Sequence, residues 1–332
     1  MEIRDIDVGD KDAVHRHWEI GLLAERDSRP YDFYPPFETV WLTYQTGRED
    51  FRFVPFGAFE AGAMVGAGRV ELPVLDNLHS AYASVCVDPA HRRRGVGRAL
   101  DERSVEVARS EGRRVLMSEA YAPLEDDSPG TLFAASLGYT KGLEDAMKVV
   151  DLFETEDSWP ELEARAAAKR GDYRIVTWQE HMPEELVEDY CRLNEMFFDE
   201  APTGDMQIEN EVWDAQRVAD REKRNKATGR HELVAGAVAP DGTLVGATEI
   251  FVNTLAPQRG FQSGTLVAPD HRGHALGLAI KLANHRQVRA TFPQCRVLMT
   301  GNADVNAPMN AVNQQLGYRD VERCVELQKS VG

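Results

Sequence analysis

The feature that most constrains this fold is an internal repeat, in which two segments of the chain share a motif at a fixed spacing. Residues 87–99 read VDPAHRRRGVGRA and residues 267–279 read VAPDHRGHALGLA, which places the two copies 180 positions apart. The tripeptide VGA at 65–67 recurs at 245–247 with the same spacing. Three blocks in one order, the third being LGY at 137–139 and 316–318, indicate a duplicated domain of about 150 residues.

The predicted secondary structure follows the same order in both halves. In the first half, strands are predicted at 2–6, 51–59, 64–72, 80–87 and 115–118, with helices at 11–24, after Pro36, at 97–109 and at 131–137. In the second half, strands are predicted at 173–177, 233–239, 244–252, 261–267 and 297–300, with helices at 183–197, 211–226, 276–289 and 308–316. The charged, alanine-rich stretch at 153–172 predicts a linker helix between an N-terminal domain at 1–152 and a C-terminal domain at 173–332.

Composition and charge argue against several classes of protein. The net charge of −17 over 332 residues disfavours a nucleic-acid partner, which would need a basic surface. The acidic surface either attracts cationic amines or serves only solubility. No apolar run reaches the length of a membrane span, and the N-terminus lacks signal-peptide features, so we expect a cytoplasmic protein that does not enter membranes. The cysteines, Cys86, Cys191, Cys295 and Cys324, form no C-x-x-C pair, and no metal site is predicted.

The repeated motif itself predicts a site for a diphosphate. A strand leads into Arg-x-x-Gly/Ala-x-Gly at 92–97 and at 272–277, and a helix follows each copy. A helix N-terminus offers unpaired N–H groups and partial positive charge, and small residues let phosphate oxygens approach the backbone. A tight strand-to-helix turn would explain one copy, but two copies in the same context favour phosphate binding. A Rossmann dinucleotide site fits less well, because this sequence lacks the third glycine of that fingerprint. A Walker loop does not fit, because the required lysine is absent.

These residues resemble the GNAT family of acyl-CoA N-acyltransferases. Residues 87–100 are similar to the most diagnostic segment of that family, and 267–280 form a looser match with Ala275 where glycine is commoner. The resemblance covers nearly the whole chain and implies an α/β (α+β) fold of two tandem GNAT-like domains, each a mixed, mostly antiparallel central sheet flanked by helices. A tandem pair resembles the mycothiol synthase type of two-domain architecture. It implies an N-acetyltransferase in which a primary amine of a small molecule attacks acetyl-CoA directly.

The resemblance also implies which residues bind coenzyme A. The backbone of the strand before each loop would pair with the pantetheine arm, and the loop amides would hold the pyrophosphate. The positions implied for the first half are Val85, Val87, Arg92, Arg93, Arg94, Gly95, Val96 and Gly97. Those implied for the second half are Leu266, Val267, Arg272, Gly273, His274, Ala275, Leu276 and Gly277, together with Asn306.

The catalytic positions depart from the family pattern. Ala134 and Asn313 occupy the place of the tyrosine that many members use as general acid, and neither protonates a thiolate well. The position where family members often carry a base glutamate holds no glutamate in either half. Glu249, on the strand before the one that leads into the second loop, is therefore the candidate general base. Glu71 lies on the corresponding strand of the first half with the same side-chain parity. The alternative interpretation of each glutamate is a solvated strand carboxylate. Of the two halves, we expect the second to perform catalysis.

Two further functions remain open from the sequence. The missing tyrosines favour a non-catalytic acyl-CoA-binding or regulatory protein, and a broad open groove would instead favour a protein-lysine acetyltransferase. The chain is expected to be a monomer or a homodimer. Acceptor contacts are expected from the helices and loops where the halves differ most, with these candidates: Asp32, Phe33, Tyr34, Trp41, Phe197, Phe198 and Glu200.

Overall fold

The computed structural model describes residues 1–27, 29–31 and 33–332, and its two compact units interleave along the chain. Unit 1 comprises Met1–Asp145, Thr203–Glu209 and Glu322–Gly332, and unit 2 comprises Ala146–Pro202 and Asn210–Val321. The boundaries predicted at 152 and 173 therefore do not coincide with the units. The reason is that the end of each repeat supplies a strand to the other unit, and strand pairing between distant segments has no local signature in the sequence.

Unit 1 is built on a sheet in the order β1–β2–β3–β4–β5–β12. Its first five strands are β1 (Glu2–Asp5), β2 (Phe51–Glu60), β3 (Ala63–Pro73), β4 (Ser80–Val87) and β5 (Val115–Ala122). Its helices are α1 (Lys11–Arg26), α2 (Phe37–Thr46), α3 (Val96–Ser110) and α4 (Pro129–Ser136). The strands β6 (Thr140–Asp151) and β12 (Arg319–Ser330) each cross a unit boundary. All pairs in this sheet are antiparallel except β4–β5, which is parallel.

Unit 2 repeats the plan with the order β6–β11–β10–β9–β8–β7. The strands are β7 (Arg174–Gln179), β8 (Arg230–Val238), β9 (Leu244–Asn253), β10 (Arg259–Val267) and β11 (Val297–Ala303). The helices are α5 (Leu152–Thr155), α6 (Trp159–Arg170), α7 (Val187–Glu195), α8 (Phe197–Glu200), α9 (Ala215–Ala227), α10 (Leu276–Thr291) and α11 (Ala307–Gln315). The pairs β7–β8, β8–β9 and β9–β10 are antiparallel, and β10–β11 is parallel.

The parallel pair opens after three residues in each unit. In unit 1 the β4–β5 ladder runs only from Ser80 to Tyr82 on β4, although β5 continues to Ala122 alongside β12. In unit 2 the β10–β11 ladder likewise ends at Phe261. Beyond these points, the edge of β4 or β10 that faces the opening makes no ladder contact with β5 or β11 in the described chain. Such a gap leaves backbone N–H and C=O groups available to a ligand.

The mixed, mostly antiparallel sheets flanked by helices confirm the predicted fold class, and some helices differ from their predicted bounds or role. Helix α6, in the predicted linker, packs Trp159 and Leu162 into the main core of unit 2. The helix predicted at 211–226 begins only at Ala215, because the Asp214 side chain accepts a hydrogen bond from the Arg217 N–H at 2.7 Å and so caps it there.

Among the helices of the described residues, none combines the length and apolar character needed to cross a membrane.

Candidate functional site

The loops after β4 and β10 have the same backbone conformation. Arg93 and Gly95 have φ of +63° and +85°, and the equivalent Gly273 and Ala275 have φ of +87° and +53°. Left-handed residues that alternate in this way turn successive N–H groups toward one concave side, which favours an anion. Gly95 and Ala275 are the N-caps of α3 and α10, so the unpaired N–H groups of each helix begin at the same place.

The space beside both loops is open at three glycine positions. A Cβ atom added at Gly95, Gly273 or Gly277 would meet no atom of the described residues within 4 Å. At Gly97 the added atom would instead lie 2.9 Å from the Phe133 ring. Three open glycine positions at two helix N-termini leave room for phosphate oxygens to approach the backbone. The main-chain amides of these loops are therefore accessible to an anion such as a diphosphate.

The first arginine of each motif braces its loop. Arg92 Nε donates to the Val87 carbonyl at 3.4 Å, and Arg272 Nε donates to the Val267 carbonyl at 3.1 Å. Each guanidinium also pairs with a carboxylate at 2.6 Å, which is Asp27 for Arg92 and Glu200 for Arg272. The fixed positive charge expected from these arginines is thus largely offset by a neighbouring carboxylate.

The strands implied to pair with pantetheine are each hydrogen-bonded along one edge and open along the other near the loop. Val85 and Val87 pair with β3 on one edge, and both lie beyond the last β4–β5 pair on the other. Leu266 and Val267 pair with β9 and lie beyond the last β10–β11 pair. Asn306 caps α11, with its side chain accepting from the Met309 N–H at 3.4 Å.

Glu249 lies beside an irregularity in β10, the strand before the loop of unit 2. Between Gln262 and Thr265, β10 carries a bulge opposite Glu249 on β9. Bulges re-aim side chains and are common next to active sites. A cavity of about 210 Å³ opens here. It is lined by Glu249, by the bulge residues Ser263 and Gly264, by Tyr190, Phe197 and Arg221 from α7–α9, and by Trp213 from the segment before α9.

The carboxylate of Glu249 is held by two donors. The Tyr190 hydroxyl donates to Glu249 Oε1, and Arg221 Nη2 donates to the same oxygen at 3.3 Å. Arg221 also contacts the Tyr190 hydroxyl and pairs with Glu232. Glu249 Oε2 makes no hydrogen bond to the part of the chain that the structure describes. The carboxyl group is therefore oriented through one oxygen and keeps the other for a ligand.

Burial and charge set the protonation of this cluster. Burial opposes the charge of Arg221, but Glu249 and Glu232 outweigh it and hold the Arg221 pKa well above its ordinary value. Burial raises the pKa of Tyr190 well above its usual range, so its hydroxyl stays protonated and donates. Burial also raises the pKa of Glu232 to about 7, against the opposing effect of Arg221.

The corresponding region of unit 1 has a different charge pattern. Gly66 pairs with Val87 as Gly246 pairs with Val267, so the counterpart of Glu249 in unit 1 is Arg69. Glu71, the second candidate base, forms an ion pair with Arg69. Its strand pairs with β4 in a regular ladder from Gly66 to Glu71, without a bulge. Glu71 is thus two residues from the equivalent position, and its carboxylate is neutralised by its neighbour.

Some functional side chains have no signal in the sequence. Tyr190 and Arg221 lie in helices whose polar residues look like ordinary exposed faces, and only the tertiary fold brings them to Glu249. The two residues at the position of the family's tyrosine are both buried: Ala134 lies in the unit 1 core, and Asn313 donates to Asn302 Oδ1 at 2.5 Å.

The acceptor candidates separate into different environments. Phe197 lines the cavity beside Glu249, whereas Glu200 pairs with Arg272 in the loop. Phe198 packs against Phe197 with ring centroids 5.6 Å apart. Trp41 packs against the core patch under α1 and α2. Asp32 lies outside the described residues, and Phe33 and Tyr34 belong to the segment before α2.

Comparisons with known proteins agree with this geometry. Residues 19–128 match the Acetyltransferase (GNAT) family. The chain is 32% identical over 278 residues to a mycothiol acetyltransferase of Saccharomonospora viridis, covering 81% of each protein. A tandem GNAT protein from the clavulanic acid biosynthesis pathway superimposes with a TM-score of 0.82 at 26% identity, over 100% of this chain and 98% of that one.

A more distant structure shows the fold alone. The GCN5-related N-acetyltransferase of Sphaerobacter thermophilus has a TM-score of 0.64 at 15% identity and covers 99% of this chain and 95% of its own. The agreement with the relative and with the tandem structure extends over both repeats. Use of an acyl-coenzyme A donor follows from the family. The chain therefore belongs to the GNAT family of acetyltransferases, has the tandem architecture, and is an acyltransferase.

Proposed function

We propose that this protein transfers an acetyl group from acetyl-CoA to a primary amine of a small molecule, and that unit 2 performs the reaction. The observation that carries the proposal is the Glu249 carboxylate, which lies in a cavity beside the bulge of β10. The coenzyme loop of 272–277 follows the same strand. One strand thus joins the implied donor site to the candidate base.

The residues of unit 2 suit direct attack by an amine. Bound acetyl-CoA supplies an activated thioester carbonyl: the amine nitrogen bonds to that carbon, the C–S bond breaks, and coenzyme A leaves as its thiol. An alkylamine is mostly protonated near neutral pH and must lose a proton before it attacks. Glu249 accepts that proton through Oε2 or through a bridging water, while Tyr190 and Arg221 fix its other oxygen. The carboxylate also attracts the cationic amine into the cavity before proton transfer.

The size of the cavity favours a small acceptor. Its volume of about 210 Å³ lies below the 300–1,000 Å³ that is typical of sites for drug-sized ligands. Phe197 and Trp213 give it apolar walls, and Glu249 supplies a negative group. Such a lining suits a compact amine with an apolar body.

Substitution of the candidate base tests the proposal. We expect Glu249→Gln to lower kcat about 10²- to 10⁴-fold, in thiol release from acetyl-CoA with a panel of primary amines. Coenzyme affinity, measured by calorimetry, should change little, because Glu249 is not in the loop. The matched substitution is Glu71→Gln in unit 1. An equal loss in the two variants would contradict the assignment to unit 2, and absence of turnover with every amine would favour a binding protein.

A further inference from the structure

We propose that unit 1 recognises the 3′-phosphate of coenzyme A through Arg93, Arg94 and Arg98, whereas unit 2 binds the coenzyme without contacting that group. The proposal rests on the acyl-coenzyme A donor proposed above and specifies how each unit would recognise it. It concerns the side chains around two loops whose backbones are alike.

The three arginines are exposed and have no partner among the residues that the structure describes. Arg93 and Arg94 lie in the loop before α3, and Arg98 lies in the first turn of that helix. None of the three makes an ion pair or hydrogen bond with residues 1–27, 29–31 or 33–332. Other arginines of unit 1 behave differently: Arg16 pairs with Asp88 at 2.7 Å and Arg103 with Asp5 at 2.9 Å.

The equivalent positions in unit 2 carry no such charges. They are occupied by Gly273, His274 and Leu278. His274 packs against the Tyr173 ring with centroids 5.0 Å apart, and Leu278 is buried in the core. The first cation of that loop, Arg272, is already paired with Glu200. Unit 2 therefore offers a diphosphate the same amides as unit 1 but lacks the three guanidinium groups.

The charge pattern of unit 1 calls for an anion beyond the diphosphate. Three guanidinium groups within six residues repel one another, and a cation in the first turn of a helix is unfavourable because of the helix dipole. The loop amides and the helix N-terminus already serve the diphosphate. Coenzyme A carries one further phosphate, a monoester with a charge of about −1.5 to −2 near pH 7. Guanidinium groups bind phosphate in a bidentate manner and match this group.

Binding of coenzyme A and of 3′-dephospho-coenzyme A tests the proposal. The full chain carrying Gly277→Glu isolates unit 1, because that side chain places a negative charge where the diphosphate would bind in unit 2. In this background, calorimetry should show coenzyme A binding at least about 10-fold more tightly than its dephospho form. The triple change Arg93→Ala, Arg94→Ala and Arg98→Ala should abolish the preference by weakening coenzyme A alone.

The control removes the same charge elsewhere in unit 1, through Arg4→Ala, Arg52→Ala and Arg103→Ala. These arginines pair with surface carboxylates, and their loss should leave the preference intact. The inference would be overturned if the changes at Arg93, Arg94 and Arg98 lowered the affinity for both ligands equally. The guanidinium groups would then contact the diphosphate, which both ligands carry. Binding of neither ligand to the Gly277→Glu protein would overturn the coenzyme site of unit 1 itself.

Discussion

Unit 1 and unit 2 each contain a loop of the same backbone conformation and a parallel strand pair that opens after three residues. They nevertheless place opposite charges at equivalent positions. Where unit 2 has Glu249 beside its bulge, unit 1 has Arg69 in a regular ladder. In the helix after the loop, unit 1 has Asp101 and unit 2 has Lys281. The shared backbone underlies our proposal that both units bind a coenzyme, and the differing side chains underlie our proposal that unit 2 alone performs proton transfer.

The buried charges show the same contrast in pairing. Asp101 accepts from Lys329 Nζ at 2.7 Å and from the Tyr139 hydroxyl at 2.9 Å. Lys281 is only 1% exposed, and it has no ion pair or hydrogen bond within the described chain. Its ammonium group faces the Tyr318 ring, with 5.1 Å between Nζ and the centroid. The buried charge of the helix after the loop is therefore compensated in unit 1 by Lys329 and has no opposite charge paired with it in unit 2.

The largest effect is expected from removing the strand that completes unit 1. Deletion of residues 322–332 takes Val325, Leu327 and Val331 out of the main core of unit 1. It also removes Lys329 and leaves Asp101 buried without its cation. We expect unit 1 to unfold, with a loss of more than about 5 kcal/mol. Limited proteolysis should then cut unit 1 first, whereas deletion of Gly332 alone should change little; equal protection of the two proteins would contradict the assignment of this strand.

The next effect concerns which loop supports turnover. We expect Gly277→Glu to lower kcat/KM at least about 10³-fold, because its carboxylate would occupy the open space proposed for the diphosphate. Gly97→Glu in unit 1 should reduce the number of coenzymes bound and leave turnover measurable. Thermal unfolding must accompany the second variant, since its Cβ would approach Phe133. Activity that survives in Gly277→Glu would move catalysis to unit 1.

The sequence predicted the parts of this comparison that depend on local patterns. The loops were recognisable because glycine and small residues mark left-handed backbone before an amphipathic helix, and the repeat spacing aligned them. The strand exchange was not, because β6 and β12 could pair on either side without a change in their own pattern. Tyr190 and Arg221 also escaped prediction, since their contact with Glu249 depends on how α7 and α9 pack across the sheet.

Lys281 makes the stability of unit 2 depend on pH. Burial lowers the pKa of Lys281 from 10.5 to about 7, and Tyr318 and His285 face it without supplying a negative charge. Between pH 7 and 10.5 the unfolded chain therefore binds more protons at Lys281 than the folded chain does. The free energy of unfolding of unit 2 thus rises as the pH is raised through that window and falls as the pH is lowered. Lys281→Met should remove the slope and stabilise unit 2 by about 4 kcal/mol at pH 7.

Urea unfolding between pH 7 and 10 measures this effect, and unit 1 supplies the opposite case. Lys329→Met should destabilise unit 1 by about 3 kcal/mol, because it leaves the Asp101 carboxylate buried beside Tyr139 without its cation. If both lysine substitutions changed stability in the same direction, the contrast between a compensated and an uncompensated charge would be wrong.

The smallest effect isolates the backbone of the loops from their charge. Gly95 and Ala275 hold equivalent left-handed positions, with φ of +85° and +53°. A Cβ in this conformation costs about 1 kcal/mol, and at Gly95 it would touch no described atom within 4 Å. Gly95→Ala should therefore destabilise unit 1 by about 1 kcal/mol. Ala275→Gly should stabilise unit 2 by less, because the methyl group also packs against the unit 2 core. Coenzyme affinity should hold in both, since the loop amides are unchanged; a neutral Gly95→Ala would show that position 95 does not need the left-handed conformation.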